Sequence, residues 1–131
     1  MPAIGFRPRF APPISAGRKI HTVRGKSPRG LIIGHWAPAY TGMRTKNVQL
    51  IGSLRISACN PIHIDPKLDV VVLNDRQQFG ESLDWFARND GFEDWSDMRA
   101  FWLNMHGPAL FYGVIIHWSA FAGERLLGLA A

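Results

Sequence analysis

The sequence predicts an α+β fold: a small barrel of about five to six short strands with flanking helices. Three observations lead there. Short apolar runs of strand character recur at 31–36, 48–59, 70–73 and 110–118. Helical periodicity is confined to 80–108, between the last two of these runs. The chain has 131 residues, 47% of them hydrophobic, which suits one core and a single domain over 1–131.

Taken in order, the elements follow from local chemistry. Pro2, Pro8, Pro12 and Pro13 make extended backbone and turns dominate residues 2–13. A short helical turn around Ile14 ends at Gly17, a residue that readily takes the left-handed cap. The basic stretch "GRKIHTVRGKSPRG" then carries a brief strand, with Ile20, Thr22 and Arg24 on one side and His21 and Val23 on the other. Strands follow at 31–36 and 48–59, the second interrupted at Gly52-Ser53. Between them "APAYTGMRTKN" reads as a turn-rich loop carrying Tyr40, Arg44 and Lys46.

The helical segment divides in two. Leu83 and Phe86 anchor a first helix, which Asn89-Asp90-Gly91 interrupts. Asp94, with Asp97 three residues later, starts a second, along which Trp95, Met98, Phe101, Trp102 and Met105 recur until Gly107-Pro108 stops it. That aromatic face reads as core rather than as ligand contact. The tail, 119–131, reads as a short helix or a frayed end with no function attached.

The net charge of +5 conceals an asymmetry. Residues 1–64 hold ten Lys and Arg and no acid, whereas all ten acidic residues lie from Asp65 onward. An acid-free basic half suits a polyanion, because Lys and Arg neutralise phosphates and release counterions. The alternative is that the two halves pack together and cancel much of the field. Cys59 is the single cysteine, which excludes an intrachain disulfide and suits a reducing cytoplasm. With no signal-type apolar region and no run near the roughly 20 residues of a membrane span, a cytoplasmic chain without membrane contact is expected.

Familiar catalytic signatures are absent. The five histidines show no metal-ligand spacing, and there is no phosphate-binding loop, dinucleotide fingerprint or nucleophile elbow. No metal and no cofactor are expected. His21 and His117 read as half-buried structural histidines, with pocket lining as the alternative. What remains is "GRKIHTVR" together with "FARNDGF". A threonine hydroxyl needs a base, and a lysine serves as one only when desolvation or another cation lowers its pKa. Lys19 and Thr22 supply that pair if the turn aims the amine back at the strand, with Asp90 as the carboxylate that holds it. Turn and solvation features are the bland alternative for all three.

At these residues the sequence resembles the ASCH domain family, small β-barrels related in fold to PUA RNA-binding domains. The matching elements are Phe10, the Gly-Arg-Lys-x-x-Thr-x-Arg stretch at Gly17 to Arg24, "YTGMRTK" at Tyr40 to Lys46, "FARNDGFEDWSDMRAFW" at Phe86 to Trp102 and a closing strand at Phe111 to Trp118. Their order spans most of 10–118 and is similar to that of phage and bacterial members. The resemblance implies a cleft lined by the K-x-x-T motif that binds RNA or a modified nucleoside. In some relatives a Lys, a Thr and a Glu hydrolyse the amide of N4-acetylcytidine, and RNA cleavage is also linked to the family. By motif these roles fall on Lys19, Thr22 and Asp90, the last an Asp where that branch has Glu.

The expectation is therefore a protein that binds RNA or a modified nucleoside in a basic cleft and hydrolyses it, like a ribonuclease or an N4-acylcytidine amidohydrolase. Lys19 is the base or a phosphate contact, Thr22 the nucleophile or a hydrogen-bonding group, and Asp90 the orienting acid. Arg18, Arg24, Arg44 and Lys46 hold the phosphate backbone, with Trp36 or Tyr40 offering a face to a base. The alternatives are a non-catalytic RNA-binding module and a protein-interaction domain for an acidic partner.

Overall fold

A computed structural model describes residues 1–123. In chain order these form β1 (Ile4–Phe6), a single 3-10 turn (Pro8–Phe10), α1 (Ala11–Ser15), β2 (His21–Arg24), β3 (Trp36–Thr41), β4 (Gln49–Asp65), β5 (Val70–Leu73), β6 (Arg76–Gln78), α2 (Glu81–Asn89), α3 (Trp95–His106) and β7 (Phe111–Gly123). The seven strands make one sheet with the helices packed on it, a small α+β fold.

β4 is the spine of that sheet. It pairs antiparallel with β3 through 49–55, with β5 through 62–65, and with β7 along 52–64. Pro61 falls in the stretch between β3 and β5, where β4 has a strand neighbour on one side alone and a proline is tolerated. β7 in turn carries β2 on its far edge, and β1 adds to β3 in parallel. The sheet does not close into a barrel: β1 and β2 each have a single strand neighbour. Ile115 and Ile116 are consecutive in β7 and both fully buried, so the sheet is covered on both faces there.

The helices follow the expected pattern. Asp94 caps α3 by accepting from the Asp97 amide at 2.9 Å, and Gly107 ends it. Along α3, Trp95, Met98 and Trp102 are buried, as an amphipathic face requires.

Three expected elements differ. Residues 31–36 are not a strand: backbone turns at Pro28–Leu31 and Ile32–His35 fold the segment, and Ile32 and Ile33 are about half exposed. The strand starts instead at Trp36 and runs through "APAYT", since Ala37, Ala39 and Thr41 alternate into the core. The tail from 119 to 123 continues β7 against β4, and 124–131 lie outside the described residues.

The interruption foreseen at Gly52-Ser53 is a bulge at Ile51, because Ala39 pairs with Gly52 and Tyr40 with Leu50. Gly52 is there for space. A β-carbon on it would collide with the Ala122 carbonyl oxygen and lie 2.5 Å from the Phe121 ring. Gly52→Ala is therefore expected to destabilise the protein by about 2–4 kcal/mol, by forcing β7 off β4. Urea unfolding midpoints of the two proteins check this, and equal midpoints would contradict the close approach of the strands.

Candidate functional site

Two chain segments far apart in sequence meet at the end of α2. The Ile20 amide donates to the Asn89 carbonyl at 2.8 Å, so the chain entering β2 is pinned to the turn leaving α2. Gly91 makes that turn at φ 96°, a conformation that other residues rarely take. A β-carbon there would also press on Lys19 and Phe10, at 3.0 and 3.1 Å. The "NDGF" sequence is thus shaped by what packs on it.

What packs on it is a lysine with no solvent contact to speak of: Lys19 is 1% exposed. Its Nζ donates to the His21 carbonyl at 2.8 Å and to the Asp90 carbonyl at 2.5 Å, and lies 3.4 Å from Asp90 Oδ1. The Phe10 ring centroid is 4.7 Å away, within cation-π range. Asp90 is also buried, and its Oδ1 accepts from His21 Nδ1 at 2.8 Å. His21 stacks on Phe86 of α2 and meets His117 edge-on. One carboxylate therefore serves both a lysine and a histidine.

Burial pulls the Lys19 amine down from its ordinary 10.5 to about 8, against the opposing attraction of Asp90. The nearby Arg24 and Arg9 push in the same direction as burial. Among the described residues the amine's hydrogen bonds go to these carbonyls and not to the Thr22 hydroxyl. Every oxygen around Nζ is an acceptor, so the site favours the protonated amine as a fixed positive post.

Lys19, Thr22, Arg24 and Asp90 nevertheless line one cavity of about 720 Å³. It opens in the seam between the unpaired edges of β1 and β2, with Gly5 and Phe6 on one lip and Thr22, Val23 and Arg24 on the other. The Arg24 guanidinium spans the seam, donating to the Gly5 carbonyl at 2.7 Å and lying 5.1 Å from the Phe6 centroid. Phe10, Phe92, Phe101, Trp102 and Phe111 form an aromatic wall, and Gly42, Met43 and Thr45 of the β3–β4 loop complete the rim. Among the described residues, Trp102 Nε1 is the one buried side-chain polar atom without a hydrogen-bond partner. Its indole belongs to this wall.

The other expected contacts lie elsewhere. Trp36 and Tyr40 alternate with the buried residues of β3 and so face away from the core. Arg44 and Lys46 sit on the rim loop without joining the lining, and Arg18 lines a separate groove. The reading of the α3 aromatics as core alone is corrected in part, because Phe101, Trp102 and Met105 also line the cavity. Phe6 and the β1 lip were missed among the prolines, since three residues of strand leave little periodicity to read. Among the described residues no group of three or more His, Cys, Asp or Glu is placed to hold a metal ion, and no helix is long and apolar enough to cross a membrane. The chain matches no family model, no curated protein and no solved structure.

Removing the Lys19 amine leaves Asp90 buried without its cation. Lys19→Met is expected to destabilise by about 3–5 kcal/mol. The native amine also sets a pH signature. Below about pH 8 folded and unfolded chains both hold the proton, whereas from there to 10.5 the unfolded chain alone holds it, so stability rises with pH across that window. Denaturant titrations of wild type and Lys19→Met from pH 7 to 11 check this (a range about the window). A difference between the two proteins that stays flat with pH would show that the amine is not desolvated.

Proposed function

We propose that the chain is an ASCH-type, PUA-like protein that takes one nucleobase, as a modified nucleoside or as a base of RNA, into the cavity between β1 and β2. The observation that carries this reading is the composition of that cavity: an aromatic wall facing Lys19, Thr22, Arg24 and Asp90. Its volume of about 720 Å³ falls within the usual range for small-ligand sites and leaves ample room for a nucleoside. Aromatic faces stack bases of any kind, and the short polar set opposite supplies orientation and selectivity. Arg24, already fixed across the seam, offers its charge to a ribose or phosphate oxygen at the mouth.

In this reading Lys19 and Asp90 act behind the ligand. The amine holds the His21 and Asp90 carbonyls and keeps a positive charge under the cavity floor, while the Thr22 hydroxyl makes the direct hydrogen bond. Hydrolysis is the second reading, favoured by an amine lowered to about 8 beside a threonine. For an N4-acylated cytidine, water adds to the acyl carbon, the C–N4 bond breaks and N4 takes a proton, giving cytidine and the free acid. Lys19 is placed to supply that proton and recover it from the incoming water.

Calorimetry with cytidine and N4-acetylcytidine tests the binding reading, and chromatography of the incubated mixture tests turnover. Thr22→Val is expected to weaken nucleoside binding about 3- to 10-fold, the net worth of one hydrogen bond, and to abolish any turnover. Nucleoside binding absent in the wild-type protein would remove the proposal. Turnover surviving in Thr22→Val would remove the hydrolytic role of this threonine.

A further inference from the structure

The strand-end segments that carry Lys19 and Asp90 have a second side. Gly17 and Arg18, with Asn89 and Gly91, line a separate groove of about 760 Å³, and Phe92 contributes to both openings. Three arginines, Arg9, Arg18 and Arg88, face this groove against a single lining carboxylate, Glu93. Arg9 is held by Asp97 at 2.8 Å and lies 4.9 Å from the Phe92 centroid. The Arg88 Nε donates to the Glu93 carbonyl at 3.2 Å, and its guanidinium sits 5.2 Å from the Trp85 centroid.

Trp85 is the informative residue. It stands at the second position of the α2 segment "DWF", 58% exposed, while its neighbour Phe86 is buried. An indole left in water beside guanidinium groups, in a concave cationic groove, is the combination that binds single-stranded nucleic acid: arginines track the phosphates and an aromatic face stacks a base. An acidic peptide would engage the arginines but would leave the indole face unused.

We propose that this groove is a second binding site, for the RNA strand that continues from the nucleotide held in the first cavity. Arg18 and Arg88 contact phosphates, Trp85 stacks on a base, and Phe92 separates the two openings. The choice of RNA rests on the nucleoside reading of that cavity. The groove itself stands on Arg9, Arg18, Trp85 and Arg88, none of which lines the cavity.

The test compares a single-stranded uridine–cytidine oligonucleotide of about 10 nucleotides, followed by fluorescence anisotropy, with free cytidine and N4-acetylcytidine, followed by calorimetry. The proteins are wild type, Trp85→Ala, Trp85→Phe and the double variant Arg18→Gln/Arg88→Gln. Oligonucleotide affinity is expected to fall about 5- to 100-fold in Trp85→Ala and to recover in Trp85→Phe. In the double variant it falls and its logarithmic salt slope drops by about two, one for each lost phosphate contact. Nucleoside affinity stays unchanged throughout.

Oligonucleotide binding that ignores all three variants overturns the groove and leaves the cavity reading standing, as does an oligonucleotide bound no more tightly than a nucleoside. Oligonucleotide binding that depends on Trp85 and the arginines, with no nucleoside binding, upholds the groove and removes the cavity reading. A polyglutamate peptide that competes as well as the oligonucleotide at equal charge identifies an acidic protein partner and overturns the choice of RNA. Binding of neither probe overturns both sites.

Discussion

The buried amine of Lys19 is the point on which the local architecture turns. A charge taken out of water is tolerated only where its hydrogen bonds are replaced, and here two carbonyls and a carboxylate replace them. Those oxygens come from both β2 and the break between α2 and α3. The cation therefore binds the helical layer to the edge of the sheet. Asp90 repeats the arrangement in reverse, gathering His21 and Lys19 around one oxygen. Neither residue can be satisfied until the other is in place.

That junction determines where the sheet stays open. β2 is held by β7 on one side and by the α2 end, so its remaining edge faces β1 without pairing to it. Only the Arg24 side chain crosses to the Gly5 carbonyl. A seam bridged by a side chain rather than by a ladder of amide bonds leaves room between its lips, and aromatic residues from four elements fill the back of it. The cavity is a by-product of incomplete strand pairing, and the groove on the far side of the same segment exists because Gly17, Arg18 and Gly91 bend around the lysine.

Much of this was legible from the residues, for identifiable reasons. Helix signals were strong because capping is local: Asp94, Asp97 and Gly107 mark the bounds of α3 within a single turn. The convergence of Lys19, Thr22 and Asp90 on one cavity followed from the motifs at 17–24 and 86–92. Their connectivity did not. Sequence spacing pairs the amine with the threonine, but backbone direction aims it at carbonyl oxygens, which every residue carries and which no motif can display. The errors at 31–36 and 36–41 have a similar origin, since an apolar run such as Leu31-Ile32-Ile33 looks like a strand whether or not a neighbour exists to pair with it. The continuation of β7 past Trp118 depends on β4, a partner distant in sequence.

The contact between Lys19 and Asp90 joins positions 71 apart in the chain. Contacts of that separation form after the loop between them has been closed, and loops of that length are entropically expensive to close early. The cavity and the groove share this junction, so neither has its walls while the amine is still searching for its oxygens. A nascent or partly unfolded chain, despite carrying the same arginines, presents charge without shape. Selective recognition in this protein is consequently a property acquired at the end of folding, and a ligand that needs both walls samples only molecules that have completed it.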